Sequence, residues 1–485
     1  MSDAPRIATA GGAGPAGRSG RLAEIAPSAP PARQARASSS LLLREGSQQA
    51  IERLSELQTE PDWLRAERRE ALQLAGDLPL EANPLFTSYV DLRAARFDEI
   101  DPYLETGDAA QMSDVLPEGA EGLLVVSDDR VVARALSPAA QSAGVVLDTL
   151  PNVLRERADL AAHVRALVEG SATLPQNDKF AQVARALSAL GLVVHVPAGV
   201  RLEQPIVIRW AVGQPGRGLI SRTLISLGEG AAASILEEQL PSVSPAAGAQ
   251  SLWWGTSEVV LARGASLDFA AQQDFAQDTL AFVNRHATLG QEAQLRWALA
   301  SVGGQLHKSR IDNQLVGRGS GVNQVEIGFG GGSQLFDLTS YTRHIGEDTS
   351  GDLLSKGVFL DRSRGYFKGL IDIERSARGT DSFLGEFAML LTKKARSVTI
   401  PSLEIDQPDV RRASHSSSVG PIDETQVFYL MSRGLPRELA RKFIVMGFLE
   451  PVVARIPLAE AQDRLRELLE QKWPADSTVA TEPAA

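Results

Sequence analysis

The sequence contains no cysteine in its 485 residues. A chain without thiols forms no disulfides, has no thiolate nucleophile and cannot hold zinc or an iron–sulfur cluster through its own cysteine sulfur. Any chemistry with a soft metal therefore requires sulfur from a partner or from a substrate.

Lysine is also scarce, with eight in the chain, and none of them follows a glycine. P-loop ATPases require Gly-Lys followed by Ser or Thr, so this class of ATPase is excluded. No stretch approaches the roughly 20 apolar residues of a membrane-spanning helix. The 49 basic and 60 acidic side chains give a net charge of -11, which repels polyanions. We therefore expect neither nucleic acid nor a membrane as a partner.

The two ends of the chain have the composition of tails. In residues 1–40, Ala, Gly, Ser and Pro fill 27 positions, and such a segment buries too little apolar surface to offset the entropy of ordering it. We predict a disordered tail over 1–45 and a frayed tail over 474–485. The five arginines and two acids of residues 1–40 would also suit a targeting segment, and composition leaves that alternative open.

Between the tails, the apolar period divides the chain into three regions. Spacings of three and four residues predict a mostly helical region over 46–191, although 122–135 has the pattern of strands. From Gly191 the period shortens to two, which predicts a β core over 192–412. Helical spacing then returns and predicts a helical region over 413–473. The fold class is therefore mainly β with helical ends.

A weak repeat runs through the β region. Four segments each place an apolar residue four positions before a small one, and they begin 34, 28 and 27 residues apart: 227–231, 261–265, 289–293 and 316–320. A strand, a tight turn and a strand repeated at this pitch predict a β-solenoid, in which each coil buries its inward side chains against the coils above and below. An antiparallel sandwich with glycine turns remains an alternative for so irregular a spacing.

The C-terminal helices have clear start and stop signals. Asp423 can cap the first helix, Gly434 can end it, and Pro436 can open the next. Their apolar faces exceed what a module of about 50 residues can bury internally, which predicts a docking surface.

Histidines are the candidate metal ligands in a chain without cysteine. None of the six has the local spacing of a metal motif. We interpret His195 and His286 as structural, His163 and His307 as solvent-exposed, and His344 as a buried hydrogen-bonding residue.

The sixth histidine, His415, has a different setting. It lies in the small polar segment 411–420, which we interpret as an exposed loop between the last strand and the first C-terminal helix. A neutral imidazole can ligate a borderline metal near pH 7. His415 is therefore the candidate metal ligand.

Carboxylates support an alternative function, a β-helix enzyme acting on carbohydrate. Such an enzyme needs two or three clustered carboxylates. The candidates are Asp361, Asp372, Glu374 and Asp381. Interleaved arginines favour an ion-paired surface at these positions over a catalytic site.

Two consecutive C-terminal segments resemble the signature of a known family. Residues 413–423 read Ala-Ser-His-Ser-Ser-Ser-Val-Gly-Pro-Ile-Asp, and 428–434 read Phe-Tyr-Leu-Met-Ser-Arg-Gly. These segments are similar to the SufB/SufD family of iron–sulfur cluster assembly scaffold proteins, and the Val-Gly, Phe-Tyr-Leu and Ser-Arg-Gly elements resemble its SufD branch. Shorter matches follow the same order across 48–472: 60–64, 196–200, 337–344, 367–369, 380–381 and 399–405.

The resemblance implies a fold, partners and a site. The expected fold is a right-handed parallel β-helix between two helical regions. The expected role is a non-catalytic, cytoplasmic SufD-like subunit that pairs through its β-helix end with a SufB-like scaffold and docks a SufC-like ATPase at its C-terminal region. His415 matches an interface histidine of the SufD branch, so it is expected to help bind the iron–sulfur cluster assembled at that interface. Ala413 departs from the cysteine of many relatives. No cofactor is expected on the isolated chain, and flavin binding by the complex stays open.

Overall fold

The computed structural model describes residues 47–108, 116–169, 174–242, 249–456 and 458–473. The tails predicted over 1–45 and 474–485 lie outside these residues. Among the residues described, no helix is long and apolar enough to cross a membrane.

The N-terminal region combines helices with short strands. Its elements are α1 (Ser47–Leu57), α2 (Asp62–Asp77), β1 (Asp101–Pro102), β2 (Gly107–Asp108), β3 (Gly122–Ser127), β4 (Arg130–Leu136), α3 (Pro138–Ser142), β5 (Val146–Thr149), α4 (Leu150–Glu156), α5 (Ala158–Glu169) and α6 (Lys179–Leu187). The strands predicted over 122–135 are confirmed as the antiparallel pair β3–β4. Because β3 pairs with residues 206–211 and β5 with residues 192–195, these strands cover the first coil of the β core.

A parallel β-solenoid follows and is confirmed as the core of the fold. Its strands are β6 (Leu190–Val196), β7 (Ile206–Val212), β8 (Arg217–Leu227), β9 (Ala232–Pro241), β10 (Ser251–Leu261), β11 (Ser266–Gln273), β12 (Thr279–Leu289), β13 (Gln294–Ser301), β14 (Leu306–Leu315), β15 (Gly321–Gly330), β16 (Leu335–His344), β17 (Ser350–Phe359), β18 (Arg364–Ile373), β19 (Asp381–Leu390), β20 (Arg396–Ile405) and β21 (Arg412–Pro421). Successive strands alternate between a 10-stranded and an 11-stranded sheet, which makes about eight coils. The pairing within the solenoid is parallel, so the antiparallel sandwich is wrong.

The repeat found in the sequence sets the register of the coils. Leu227, Leu261 and Leu289 are Cα partners in successive coils. The fourth member is shifted by one residue, because Leu289 pairs with Leu315. Val316, which the pattern selects, has a side chain that is 47% exposed. A shift of one position turns a strand residue from the inside of the coil to the outside.

Three helices complete the chain: α7 (Glu424–Ser432), α8 (Arg437–Val453) and α9 (Ala459–Lys472). The predicted cap is confirmed, since the Asp423 carboxylate accepts a hydrogen bond from the Thr425 N–H at 2.8 Å. Leu449 and Leu465 are buried in one apolar cluster with Ile327 of β15. The helices therefore pack on the outer face of the 11-stranded sheet.

Candidate functional site

The solenoid ends in an open coil made of β20 and β21. β20 pairs only with β18, and β21 only with β19. Residues of the inner coils are mostly buried, whereas those of β20 and β21 are half-buried or exposed. No described residue pairs with the outer edge of either strand. Rows of unpaired N–H and C=O groups are the feature of a sheet edge that accepts another strand.

Alternation along the strands fixes which backbone groups are free. The Arg412 N–H donates to the Thr380 oxygen at 3.2 Å, and the Ile422 N–H donates to the Leu390 oxygen at 3.1 Å. Successive N–H groups of a strand point to opposite sides. The N–H groups of odd-numbered residues 413 to 419 therefore face the open edge.

The same alternation explains a proline within β20. Asp406, an even-numbered residue, donates its N–H to the Ile373 oxygen of β18. Pro401 is odd-numbered, so its missing N–H falls on the open side, where the strand ladder of this chain loses no hydrogen bond.

His415 lies in β21, so the predicted loop around it is wrong, and the helical region predicted from 413 begins at Glu424. The reason is parallel pairing with β19, in which His415 is the Cα partner of Leu384. Leu384 is buried inside the solenoid, and Ala413, two residues before His415, packs against the same apolar cluster. His415 therefore shares the inward face of the coil. It is exposed because no described coil lies beyond it.

Glu386 of β19 is a second polar residue at this end, and it was not predicted from the sequence. Its side chain is buried, with 2% exposed. The Ile400 N–H donates to its Oε2 at 3.1 Å. A Cβ at Gly369 would lie 2.8 Å from its Oε1, so the glycine of the Phe-Lys-Gly segment leaves room for the carboxyl group. Burial raises the pKa of Glu386 to about 8, and the neighbouring Glu326 adds to the rise.

Glu386 belongs to a polar column that reaches the open end. Glu326, Ser355, Glu386 and Ser417 are successive Cα partners in β15, β17, β19 and β21. Burial also raises the pKa of Glu326, to about 7. The column places two buried carboxyl groups behind the last coil. An acid at an inward position of the otherwise apolar Phe-Leu-Gly-Glu-Phe-Ala run was the available sequence signal.

We predict that replacing Glu386 by Gln removes part of the pH dependence of stability. The pKa of this carboxyl group is about 8 in the folded state and about 4.5 in the unfolded state. Between pH 4.5 and pH 8 the group is therefore protonated in the folded protein and ionised in the unfolded chain. Its stabilising effect is complete below pH 4.5 and is lost as the pH rises through 8. Glu386→Gln should therefore unfold at a higher temperature than the wild type at pH 8.5, by an amount that corresponds to a few kcal/mol, and much less so at pH 5.

Thermal unfolding of both proteins from pH 5 to 9 measures this difference. Glu404→Gln is the control, because Glu404 is exposed in β20 and surface changes are usually worth under about 0.5 kcal/mol. A difference between wild type and Glu386→Gln that does not change with pH would show that the carboxyl group is ionised in the folded protein.

Two other histidines, His344 and His307, lie in the interior of the solenoid. His344 is confirmed as a buried hydrogen-bonding residue, with Nδ1 2.8 Å from the Thr349 hydroxyl and Nε2 3.1 Å from the Ser382 hydroxyl. The exposed interpretation of His307 is wrong, since its side chain is buried in β14. Burial lowers the pKa to about 4 for His344 and to about 3 for His307. Both imidazoles are therefore neutral at pH 7.

The remaining histidines form no metal centre. His286 is buried, and its ring nitrogens lack hydrogen-bond partners. His163 is exposed, and both His163 and His195 approach the Ser226 hydroxyl, at 3.2 and 2.8 Å. Within the described parts of the chain, no three His, Asp or Glu side chains are grouped so that they could hold a metal ion.

The four carboxylates of the alternative enzyme are engaged in surface contacts. Asp361 accepts a hydrogen bond from the Gly332 N–H at 2.7 Å. Asp372, Glu374 and Asp381 form ion pairs with arginine. These pairs match the ion-paired surface that the sequence favoured.

An apolar patch lies on the first two C-terminal helices. We call it the α7–α8 patch, and its exposed side chains are Phe428, Tyr429, Met431, Leu439 and Phe443. Beside it, a cleft of about 410 Å³ is lined by Thr425, Gln426, Tyr429, Leu430 and Ile444. Apolar patches of this kind mark interaction sites on soluble proteins. Since α8 and α9 bury their other faces on the solenoid, the exposed apolar surface is smaller than the sequence indicates.

Comparison with known proteins identifies the family. Residues 210–448 match the family model described as SUF system FeS cluster assembly, SufBD core domain. The iron–sulfur cluster assembly protein SufD of Bacillus subtilis is 28% identical over 435 residues, which cover 88% of this chain and 97% of that protein. SufBD family proteins of Staphylococcus haemolyticus and Staphylococcus epidermidis are each 25% identical, over 86% of this chain and 90% of theirs. The matched core runs from β7 into α8 and includes the open coil. The chain therefore belongs to the SufB/SufD family of iron–sulfur cluster assembly proteins and is SufD-like within it.

Proposed function

We propose that this chain is the SufD-like subunit of a SUF assembly complex in the cytoplasm. It pairs through the open coil with a SufB-like scaffold subunit and docks a SufC-like ATPase on the α7–α8 patch. It contributes a ligand to the cluster and catalyses no reaction alone. The observation that supports this proposal most strongly is the open coil itself, with two ten-residue strand edges and His415 at the mouth.

The open coil has the properties of a surface that is covered in the working assembly. Natural proteins protect free strand edges with charges, bulges or covering segments. Residues 413–420 include no lysine, arginine, aspartate or glutamate, and no described residue covers them. A solenoid also needs a cap over its last coil. The end of a second β-helix would supply this cap, because it presents strand edges of the same spacing.

The chemistry of the mouth suits a cluster shared with another protein. This chain has no thiol, so cysteine ligands must come from the partner. His415 offers one imidazole on the inward face of the last coil, where the partner coil would meet it. Nitrogen ligation by histidine is known for iron–sulfur centres and changes their reduction potential. The cluster is the cargo of this assembly, and this chain supplies one of its ligands.

We predict that Ser417→Pro strongly weakens pairing with a SufB-like chain. The Ser417 N–H faces the open edge, so proline removes a donor needed by an added strand but none used by β19. Ser417→Ala is the matched control, because it keeps the N–H. Co-purification with a tagged SufB-like chain should fall at least about tenfold for proline, the ratio expected from about 1.4 kcal/mol of lost contacts.

Thermal unfolding must accompany this test. We expect the proline variant to unfold within a few degrees of the alanine variant. Full recovery of the SufB-like chain with a folded Ser417→Pro protein would mean that the partner does not pair along β21.

A further inference from the structure

A cavity of about 550 Å³ lies in the N-terminal region, between α2 and the α4–α5 pair. Its lining comes from residues 58–64 on one side and from 150–165 on the other. Neither the open coil nor the α7–α8 patch contributes to it. Sites for small molecules usually have volumes of about 300–1,000 Å³, so this cavity, which we call the N-terminal cavity, is of suitable size.

The walls of the N-terminal cavity are apolar and include one aromatic ring. Trp63 and Leu64 lie on the α2 side, and Leu150 and Leu154 lie on the α4 side. Leu64 and Leu150 belong to a buried apolar cluster against which Trp63 and Leu154 pack. An apolar ligand body would extend that cluster, and the indole gives it a flat surface to stack on.

The rim of the cavity is fixed before any ligand arrives. Glu60 is buried, where its Oε1 lies 2.6 Å from the Arg68 guanidinium and its Oε2 accepts a hydrogen bond from the Ser55 hydroxyl at 2.9 Å. Thr59 has a φ of 52°, a left-handed conformation that is unfavourable for a β-branched residue. The Gln58 amide donates to the Ala189 carbonyl. These contacts fix the conformation of the turn 58–61. The Glu-Pro-Asp-Trp-Leu segment, residues 60–64, begins in this turn.

The charge of the lining is positive in a chain whose net charge is -11. Its charged residues are Glu60, Arg155 and Arg165, and Arg68 neutralises the first of them. The Arg165 guanidinium lies 5.9 Å from the centre of the Trp63 ring. Both lining arginines make exposed ion pairs with nearby acids, at 2.9 and 3.0 Å. Such pairs are worth about 0–1 kcal/mol, so an anionic ligand can replace the acids.

We propose that the N-terminal cavity binds a small organic anion with a flat apolar body. The body stacks on Trp63 against the apolar wall, and the anionic group lies on Arg155 and Arg165. This proposal is independent of the assembly role above, because it uses no residue of the open coil or of the α7–α8 patch.

Anilinonaphthalene sulfonate is a suitable probe, because it has a flat apolar body and one negative charge. Phenylnaphthylamine is the uncharged comparison with nearly the same body. Titration of the full chain with the sulfonate should show one saturable site that quenches tryptophan emission. Trp63→Phe should remove the largest part of that quenching, whereas Trp473→Phe, which changes the other partly buried tryptophan, should leave it nearly unchanged.

The double variant Arg155→Ala/Arg165→Ala tests the charge. It should bind the sulfonate roughly tenfold more weakly, as expected for two exposed charge contacts, and phenylnaphthylamine with unchanged affinity. Equal affinity for the sulfonate in the wild type and the double variant would overturn the proposal. So would quenching that Trp63→Phe does not reduce, or quenching that disappears in Phe428→Ser/Phe443→Ser, since the probe would then lie on the α7–α8 patch.

Discussion

His415→Ala is expected to fold, to assemble with its partners and to fail in cluster production. The imidazole is exposed at the mouth of the last coil, and surface substitutions of this kind usually cost under about 0.5 kcal/mol. The backbone N–H of residue 415, which faces the open edge, is unchanged by alanine. The change removes the nitrogen ligand that we propose for the cluster, and a water or the neighbouring serine hydroxyls are poor replacements at a site that suits softer donors.

Complementation of a SufD-deficient strain under iron limitation measures this loss. The control is His163→Ala, which removes an exposed histidine of α5 far along the chain from the open coil. The His163 variant should support growth, and the His415 variant should not, although both should purify with a SufB-like chain. Normal growth on His415→Ala would show that this residue is an ordinary surface histidine of an edge strand.

The second large effect is expected at the α7–α8 patch. Phe428 and Phe443 are 72% and 57% exposed, so serine at both positions should leave the fold intact. Buried aromatic anchors at an interface are typically worth about 2–4 kcal/mol each when truncated. Phe428→Ser/Phe443→Ser should therefore weaken binding of a SufC-like ATPase at least about a hundredfold.

Point variants test this surface better than removal of residues 436–472. Deleting α8 and α9 would uncover the outer face of the 11-stranded sheet, because Leu449, Leu465 and Leu469 are buried against it. The matched control is Leu85→Ser, a change at an apolar residue that is 55% exposed elsewhere on the chain. Retention of the ATPase at full stoichiometry by the double serine variant would place the docking surface somewhere else.

The sequence predicted the solenoid because its signal is local. An apolar residue, a tight turn and a small residue recur at the same corner of four successive coils, and Leu227, Leu261 and Leu289 stack as this repeat requires. The same reasoning failed by one residue at Val316. The shift escaped pattern analysis because Val316 directly follows Leu315, so both residues are apolar and the pattern does not distinguish them.

The strand around His415 was missed for a physical reason. A strand is recognised by alternation of buried and exposed side chains, and β21 has a neighbour on one side only. Its small polar residues therefore have the composition of a loop, while the strand itself depends on pairing with β19. The opposite reason explains why three buried polar residues were missed: Glu326, Glu386 and His307. They lie at inward positions of the strands, where the alternating pattern assigns apolar residues, and only the packed coils show that they are buried.

Under the proposed function, this chain works as one subunit of a larger assembly closed at the open coil. Native mass spectrometry of the chain co-expressed with SufB-like and SufC-like proteins tests it most directly. We expect a complex that contains one copy of this chain, one SufB-like chain and a SufC-like ATPase, and Ser417→Pro should lose the SufB-like chain from this complex. A chain that stays monomeric or pairs only with itself in the presence of both proteins would contradict the account.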